Sequence, residues 1–478
     1  MSAPLIGVVV YVIVHVAVIV RALAVPEREP ASRAAWVLIL VFVPVVGIAA
    51  YLLFGEPWVA RRFRRRARLV VADLALADHA SGSSTPDAVP ERFRPAFRAC
   101  EALSRCRATL DNLATVAADS DAAIDVMVQD FDQARETIHI SFYIWLADRN
   151  GVKVVEALER AAARGVTCRV LADGVGSRGL IRSRHWPAMR AAGVKLCTSM
   201  KLSLGLALVL GSRVDLRNHR KIVVIDNRIT WCGSQNCADP EFLVKAKYAP
   251  WVDIMLRFSG PVAVQNQRLF ASDWMVEARE DLSAMFADAA PERAPNGFPA
   301  VAFGTGPMSP KGAMSDVFAS LLYGAEREIV ISTPYFVPDP PLLAALTGCA
   351  RRGVATSLIL PARNDSWAVA AISKANYPSL VESGVELFEF GAGLLHAKTV
   401  VADRVVALVG SANMDRRSLD LNFENNILLC SPDVSSAIRT RQDAWLAESR
   451  RVSGQSVLKR PLLRQIGENI ATMFGPVF

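Results

Sequence analysis

The sequence predicts an α/β chain of two tandem, duplicated α/β sandwich domains about a pseudo-twofold axis, preceded by an N-terminal two-helix transmembrane hairpin. Three observations predict it. One pattern occurs twice, as HRKIVVIDNRITWCGSQN from His219 to Asn236 and as HAKTVVADRVVALVGSAN from His396 to Asn413. A strand–helix–strand order precedes each copy. Two apolar runs open the chain, PLIGVVVYVIVHVAVIVRALAV at 4–25 and WVLILVFVPVVGIAAYLLF at 36–54.

A helical span needs roughly 20 apolar residues, and each run is long enough. The first lacks a basic lead-in and exceeds a signal-peptide core in length, so it reads as a span. His15 lies within it as a helix-contact residue. Pro44 would kink the second span. The connector PEREPASRAA is short, so the spans should form a hairpin. The six arginines of RRFRRRARL at 61–69 place that flank, and the body behind it, in the cytoplasm. They also suit anionic headgroups. The Ser- and Pro-rich stretch 78–92 is a linker. The expected divisions are a transmembrane hairpin at 1–58, basic flank and linker at 59–95, a first domain at 96–285, a linker at 286–312, a second domain at 313–450 and an amphipathic tail at 451–478.

In the first domain ETIHISFYIW (136–145) is a strand with His139 as a structural residue, VKVVEALERAAARG (152–165) an amphipathic helix, and VTCRVLADGVGS (166–177) a second strand. In the second, EREIVISTPYF (326–336), LLAALTGCARRG (342–353) and VATSLILPARND (354–365) repeat that order. Tyr143 aligns with Tyr335, and Arg164-Gly165-Val166 with Arg352-Gly353-Val354. Alternating strands and helices argue for an α/β sandwich. The period is far too long for a solenoid. The repeat is uneven before each motif, with 24 residues between Val194 and His219 but 10 between Val385 and His396. The extra piece, KLSLGLALVLGSR at 201–213, reads either as buried core or as a lip dipping into a bilayer. The tail at 457–478 has apolar residues at near-helical spacing beside Lys459, Arg460 and Arg464, suited to an interface or to packing on the domain.

Both motifs fit H-x-K-x4-D-x6-G-S-x-N. In an extended strand alternate side chains share a face, so His219 and Lys221 point the same way, as do His396 and Lys398. A histidine beside a fixed cation suits a phosphate, with the lysine holding the oxygens and the imidazole attacking or protonating. The Gly-Ser-x-Asn turn offers further donors from Ser234, Asn236, Ser411 and Asn413. Asp226 and Asp403 would fix imidazole tautomers. Opposite surroundings would separate the two histidines' pKa values, one neutral and one charged.

The paired motif resembles the HKD motif of the phospholipase D superfamily. The stretches at 217–226, 251–274, 332–339 (STPYFVPD) and 410–426 (GSANMDRRSLDLNFENN) narrow the resemblance to bacterial cardiolipin synthases. It covers nearly the whole chain and implies two tandem phospholipase D-like domains sharing one active site. It implies that one histidine becomes a phosphohistidine while the other serves as general acid and base, with no metal or cofactor. It implies phosphatidyl transfer between two phosphatidylglycerol molecules, and the motifs alone equally admit hydrolysis, another alcohol or phosphatidylethanolamine. Asn422 and Glu424 fall at the periphery of the site by this resemblance. Asp415, Arg416 and Arg417 would anchor a headgroup or form surface ion pairs.

Composition agrees. The 478 residues are 52% hydrophobic and carry a net charge of +8, which favours anionic partners. The apolar N-terminus points to an inner-membrane protein with lipid partners and against nucleic acid. Eight cysteines without metal-like spacing read as free thiols.

Overall fold

The computed structural model describes residues 3–26, 28–55, 61–76, 88–200, 215–286 and 295–473. The insert 201–213 and most of the predicted linker at 78–92 lie outside them. The first half contributes strands β1 (Thr109–Val116), β2 (Thr137–Phe142), β3 (Thr167–Asp173), β4 (Lys195–Ser199), β5 (Lys221–Ile225), β6 (Ile229–Gly233), β7 (Trp251–Val252) and β8 (Met255–Ser259). The second contributes β9 (Phe298–Thr305), β10 (Glu328–Ser332), β11 (Ala355–Pro361), β12 (Glu386–Phe390), β13 (Leu394–Leu395), β14 (Thr399–Ala402), β15 (Val406–Gly410), β16 (Glu424–Cys430) and β17 (Ser449–Arg451).

Fifteen of these strands form one sheet, ordered β17-β12-β11-β10-β14-β15-β16-β9-β1-β8-β6-β5-β2-β3-β4. Outward from the β9–β1 junction the two arms repeat each other, β16-β15-β14-β10-β11-β12 answering β8-β6-β5-β2-β3-β4. In each arm the outer three strands are parallel and the rest antiparallel. The duplication read from the sequence is thus a duplication of topology. The arms fold together over a shared core in which Cys232, Leu256 and Phe258 meet Val409 and Ile427.

Both motifs begin at the edge of a hairpin, β5–β6 or β14–β15. The turn residues Asp226-Asn227 and Asp403-Arg404 all have positive φ, between 50° and 57°. They open three-residue loops, each tightened by a bond from the third residue's amide, Arg228 to Ile225 and Val405 to Ala402, and their left-handed pair suits the right-handed twist of the flanking strands.

The N-terminal region departs from the expected hairpin of spans. Helix α1 (Ala3–Ala24) is long and apolar enough to cross a membrane. The second run breaks at Val43-Pro44 into α2 (Pro30–Phe42) and α3 (Pro44–Phe54). These lie side by side and antiparallel. The Trp36 and Tyr51 rings meet edge to face at 5.3 Å, and Gly47 sits against the backbone of Ile39, where a Cβ would lie 2.8 Å from the Ile39 oxygen. Arg28 closes the open end on the Gly55 carbonyl. A helix of 13 residues is about 20 Å long, short of a roughly 30 Å hydrocarbon core. Proline, which cannot donate the hydrogen bond of a continuing helix, does more here than kink.

This folding back differs from the expected pair of full-length spans. The connector was to lie across the bilayer from the body. Instead Glu29 receives both Arg416 guanidinium nitrogens, at 2.8 and 2.7 Å, so connector and body share one side of the α1–α3 unit. The basic flank is also more than a tether. It forms helix α4 (Arg61–Leu76), whose Ala67, Val70 and Leu74 pack with Phe270 and Trp274 of the first half.

Candidate active site

The histidines stand where the halves touch, and each is held by the other half. The His219 amide donates to the Phe423 carbonyl at 2.9 Å, and its Nδ1 lies 2.9 Å from Oε2 of Glu424, the next residue. The His396 amide donates to the Val252 carbonyl at 2.7 Å, and its Nδ1 lies 2.7 Å from Oδ1 of Asp253. The short parallel ribbon β7–β13 sets this second contact, because it aligns Trp251-Val252 with Leu394-Leu395. A backbone bond and a side-chain bond from consecutive residues fix each imidazole in position and orientation. With Nδ1 taken by a carboxylate, Nε2 is the nitrogen left for chemistry.

The serines of the Gly-Ser-x-Asn turns complete the exchange. Ser234 donates to Asp253 at 2.5 Å, and Ser411 donates to Glu424. The turn of each motif therefore braces the acid that orients the other motif's histidine. This corrects the expectation that the serine hydroxyls face substrate oxygens. Glu424, expected at the periphery, is central. It also accepts from Ser418 Oγ at 2.8 Å.

The aspartates of the motif are not tautomer-fixing groups. Asp226 accepts from the amides of Arg135, Glu136 and Thr137 at 2.7–2.8 Å. Asp403 accepts from Glu326, Arg327 and Glu328 at 2.8–3.1 Å. Each ties its hairpin turn to the start of the neighbouring strand. The physical reason is reach: His219 and Asp226 stand at opposite ends of an extended strand, roughly 20 Å apart at about 3.3 Å per residue.

Lys221 and Lys398 are buried, and each ammonium donates to the carbonyl of its own motif histidine, at 2.7 and 2.6 Å. That leaves two N–H groups on each. Burial pushes Lys221 down to about 8 and Lys398 to about 7, against the pull of Glu424 and Asp253. Asn236 accepts from the Ile144 amide at 3.3 Å, and Asn413 donates to Ser418 Oγ at 3.2 Å. Asn413 Oδ1, Asn422 Oδ1 and Trp251 Nε1 are buried without a partner among the described residues, leaving hydrogen-bonding capacity around the histidines.

Burial also pushes both imidazoles down to about 4, with the facing carboxylate raising each and the lysines lowering it. The expected opposition of one neutral and one charged histidine is not seen, since burial lowers both alike. Burial would raise Asp253, but His396 and Lys398 outweigh it and hold the carboxyl at about 2. The Tyr143 ring lies 4.9 Å from that of His219 and the Trp251 ring 4.6 Å from that of His396.

Asp253 and Trp251 were missed by sequence reasoning. Their signal is an acid in an apolar stretch after each motif, WVDIML and NFENNILL, but at unequal distances, so repeat alignment does not pair them. Asp415 caps the Ser418 amide, whereas Arg417 pairs with Asp215 and Arg416 with Glu29, so only the two arginines of this trio are ion-paired. His139 is structural as expected, bonded to Gln267 and Arg169. Cys100, Cys168, Cys232, Cys237, Cys349 and Cys430 are buried free thiols.

Two interlocked His–Lys pairs, each oriented by an acid from the opposite half, define a duplicated phospholipase D-like site. The model of the cardiolipin synthase, PLD-like domain matches residues 127–274 and 318–445, and that of the phospholipase D-nuclease N-terminal region matches 7–56. Cardiolipin synthase A of Yersinia pseudotuberculosis serotype O:1b (strain IP 31758) is 34% identical over 461 residues, 94% of each chain, and that of Yersinia pestis is equally similar. The chain belongs to the bacterial cardiolipin synthase family of the phospholipase D superfamily. Among solved structures, phosphatidylserine synthase from Haemophilus influenzae Rd KW20 shares the fold, with a TM-score of 0.59 at 14% identity, over 80% of this chain and all of that one.

Proposed function

We propose that the protein makes cardiolipin and glycerol from two phosphatidylglycerol molecules. The observation that carries this reading is the crossed pairing of His219 with Glu424 and His396 with Asp253, which presents two Nε2 atoms to one site. His219 Nε2 attacks the phosphorus of one phosphatidylglycerol. The P–O bond to the free glycerol breaks, and the leaving oxygen takes the proton of His396. The glycerol hydroxyl of a second phosphatidylglycerol then attacks the phosphatidyl-histidine, gives its proton to His396 and releases His219. Lys221, Lys398, Asn236 and Asn413 steady the phosphoryl oxygens as charge shifts.

His396 must carry a proton when the first step begins, although burial disfavours it. The incoming phosphodiester is an anion and raises both imidazoles by attraction. His396 is then the one that stays protonated and serves as general acid, because Asp253 has one hydroxyl donor besides the imidazole whereas Glu424 has two. A carboxylate with fewer competing donors holds an imidazolium more strongly. His219 is accordingly the nucleophile.

The reading includes an integral inner-membrane location, with α1 spanning. Arg21 at the inner end of α1 and the arginines of α4 favour the cytoplasm for the body. The α1 N-terminus then faces outward, and α2–α3 enters the bilayer from the cytoplasmic side and returns. Substrates are anionic lipids and not nucleic acid. Purified protein is given phosphatidylglycerol labelled separately in its acyl chains and free glycerol. One glycerol released per cardiolipin formed supports the reading. Phosphatidic acid as the main lipid product overturns it.

A further inference from the structure

The C-terminal helix Leu462–Met473 is amphipathic and faces the wrong way for water. Its polar side is turned inward: Glu468 is buried and receives Arg460, which also donates to the Lys374 carbonyl. The helix packs along Trp367–Ala375. Its apolar side, Leu463, Ile466, Ile470 and Met473, recurs at helical spacing and lies in the open, Leu463 being 85% exposed. Trp367, at the start of the helix it packs on, is 81% exposed. A contiguous apolar patch of this kind marks an interaction surface.

The patch lies at the end of the sheet that carries the histidines: Trp367 follows the carboxyl end of β11, where Ile359 lies beside Ser332 and Ser332 beside Thr399, three residues after His396. Asp365, two residues before Trp367, accepts from the Tyr335 hydroxyl at 2.8 Å and from Lys245 at 2.5 Å. Lys245 follows a second exposed apolar pair, Leu243 and Val244, 77% and 67% exposed. That tip reaches the site through ring contacts: Phe242 stacks on Trp251 at 4.0 Å, and Trp251 lies tilted at 4.6 Å from His396. Across the mouth, Arg416 is clamped to Glu29 beside the end of α1. The membrane helix and the apolar surface therefore occupy one end of the molecule, where loops leave the carboxyl ends of the parallel strands. Exposed Lys245, Lys247, Arg363 and Lys459 ring the apolar residues and suit an anionic surface.

We propose that the Leu462–Met473 face, Trp367 and the Leu243-Val244 tip dock on the anionic bilayer that holds α1, pressing the mouth of the site against the headgroups. The proposal rests on the phosphatidyl-transfer reading for its substrate. The helix inserts its apolar side to the level of the upper acyl chains, with the lysines among the headgroups. Docking at this rim, with Arg416–Glu29 at the other, fixes two sides of the body. A phosphodiester can then reach His219 and His396 while its acyl chains stay in the membrane.

The full-length protein is reconstituted into phosphatidylglycerol vesicles, with the triple substitution Leu463→Ser, Ile466→Ser, Ile470→Ser compared with wild type. The variant should lose about tenfold or more in turnover of long-chain lipid. It should keep its melting temperature and its rate on soluble short-chain phosphatidylglycerol. Bromine on the upper acyl chains should quench wild-type fluorescence more than that of Trp367→Phe. Unchanged vesicle turnover and no difference in quenching overturn the proposal. So does conversion from dimer to monomer with quenching intact, which assigns the face to a second copy. Equal loss on both substrates with a lower melting temperature also overturns it, because another part of the chain then covers the helix. Failure of the wild type to form cardiolipin would sink the transfer reading alone, since quenching reports docking without turnover.

Discussion

The two halves of the catalytic body share the order of their main strands, with β17 an extra edge strand in the second, yet they surround their histidines differently. Glu424 meets His219 with both oxygens and also receives Ser411 and Ser418, whereas Asp253 meets His396 with one oxygen and receives Ser234. Between histidine and lysine the first motif has Arg220, which reaches Asp273 and the Glu424 carbonyl. The second has buried Ala397. Divergence extends to the rim. Cys237 and Met414 make equivalent bridges to Trp145 and Phe336. Two residues further on, Asp239 accepts the amide of Asn150 at the start of a helix, while Arg416 reaches the membrane connector. Duplication supplied two copies of one scaffold, and the residues outside the shared pattern gave each copy its own work.

The most severe test of that division removes each imidazole. His219→Ala and His396→Ala should each reduce turnover by about 10⁴-fold or more, and mixing the two proteins should not restore it. His396→Ala retains the nucleophile, so mass spectrometry after incubation with phosphatidylglycerol should find the lipid adduct on His219. An adduct on His396 in the His219→Ala protein would reverse the roles.

Next in size is loss of one orienting acid. Asp253→Asn and Glu424→Gln should each cost about 10²–10⁴-fold, as with other histidine-orienting carboxylates. Their pH profiles should differ. Asp253 raises the His396 pKa, so removing it lets His396 lose its proton at lower pH, and the alkaline limb of the profile moves down. Glu424→Gln should leave that limb in place. Identical shifts would mean that the two acids are interchangeable.

The motif aspartates should separate stability from chemistry. Asp403 is 1% exposed, accepts three amides and pairs with Arg92, whereas Asp226 is half-buried. Asp403→Ala should cost about 2–3 kcal/mol and Asp226→Ala about 1 kcal/mol in denaturant unfolding. The kcat of the folded protein should be unchanged in both. A hundredfold loss of kcat without loss of stability would restore these residues to the chemistry.

Much of this was legible in the sequence. The doubled histidine-lysine spacing marked the two His-Lys pairs that the fold brings together, and the repeated strand–helix–strand order gave the architecture. Three things were not legible, for different reasons. Asp253 and Glu424 act across the pseudo-axis, so no spacing within one repeat pairs them with their histidines. Asp226 and Asp403 were assigned by their place in the motif, although an extended strand already puts them out of reach. The break at Val43-Pro44 was visible as a proline, but whether a helix kinks or doubles back depends on what covers the return. Here Tyr51 packs on Trp36, and Gly47 admits the close approach of α3 to α2.

The smallest predicted effect concerns Arg416, through which the second half holds the connector of the apolar N-terminal unit. Arg416 is 15% exposed and Glu29 29%, and their contact is a two-pronged guanidinium–carboxylate pair. Solvent screens such a pair, so it is worth about 1 kcal/mol and not the several expected of a buried one. Asp420, 4.0 Å from Arg416, takes up part of the loss when Glu29 is removed. Arg416→Ala should therefore leave the melting temperature of the body almost unchanged and slow turnover in vesicles about threefold to fivefold. Turnover of a soluble short-chain lipid should not change. Arg416→Glu should be worse than Arg416→Ala, because it sets like charges against each other, and adding Glu29→Arg should recover part of the rate. The equivalent change in the first half, Asp239→Ala, should lower stability through the exposed Asn150 amide and have no particular effect in vesicles. If Asp239→Ala and Arg416→Ala behaved alike on vesicles and on soluble lipid, the rim would be as symmetric as the sheet beneath it. The tie to the connector would then have no part in aiming the site.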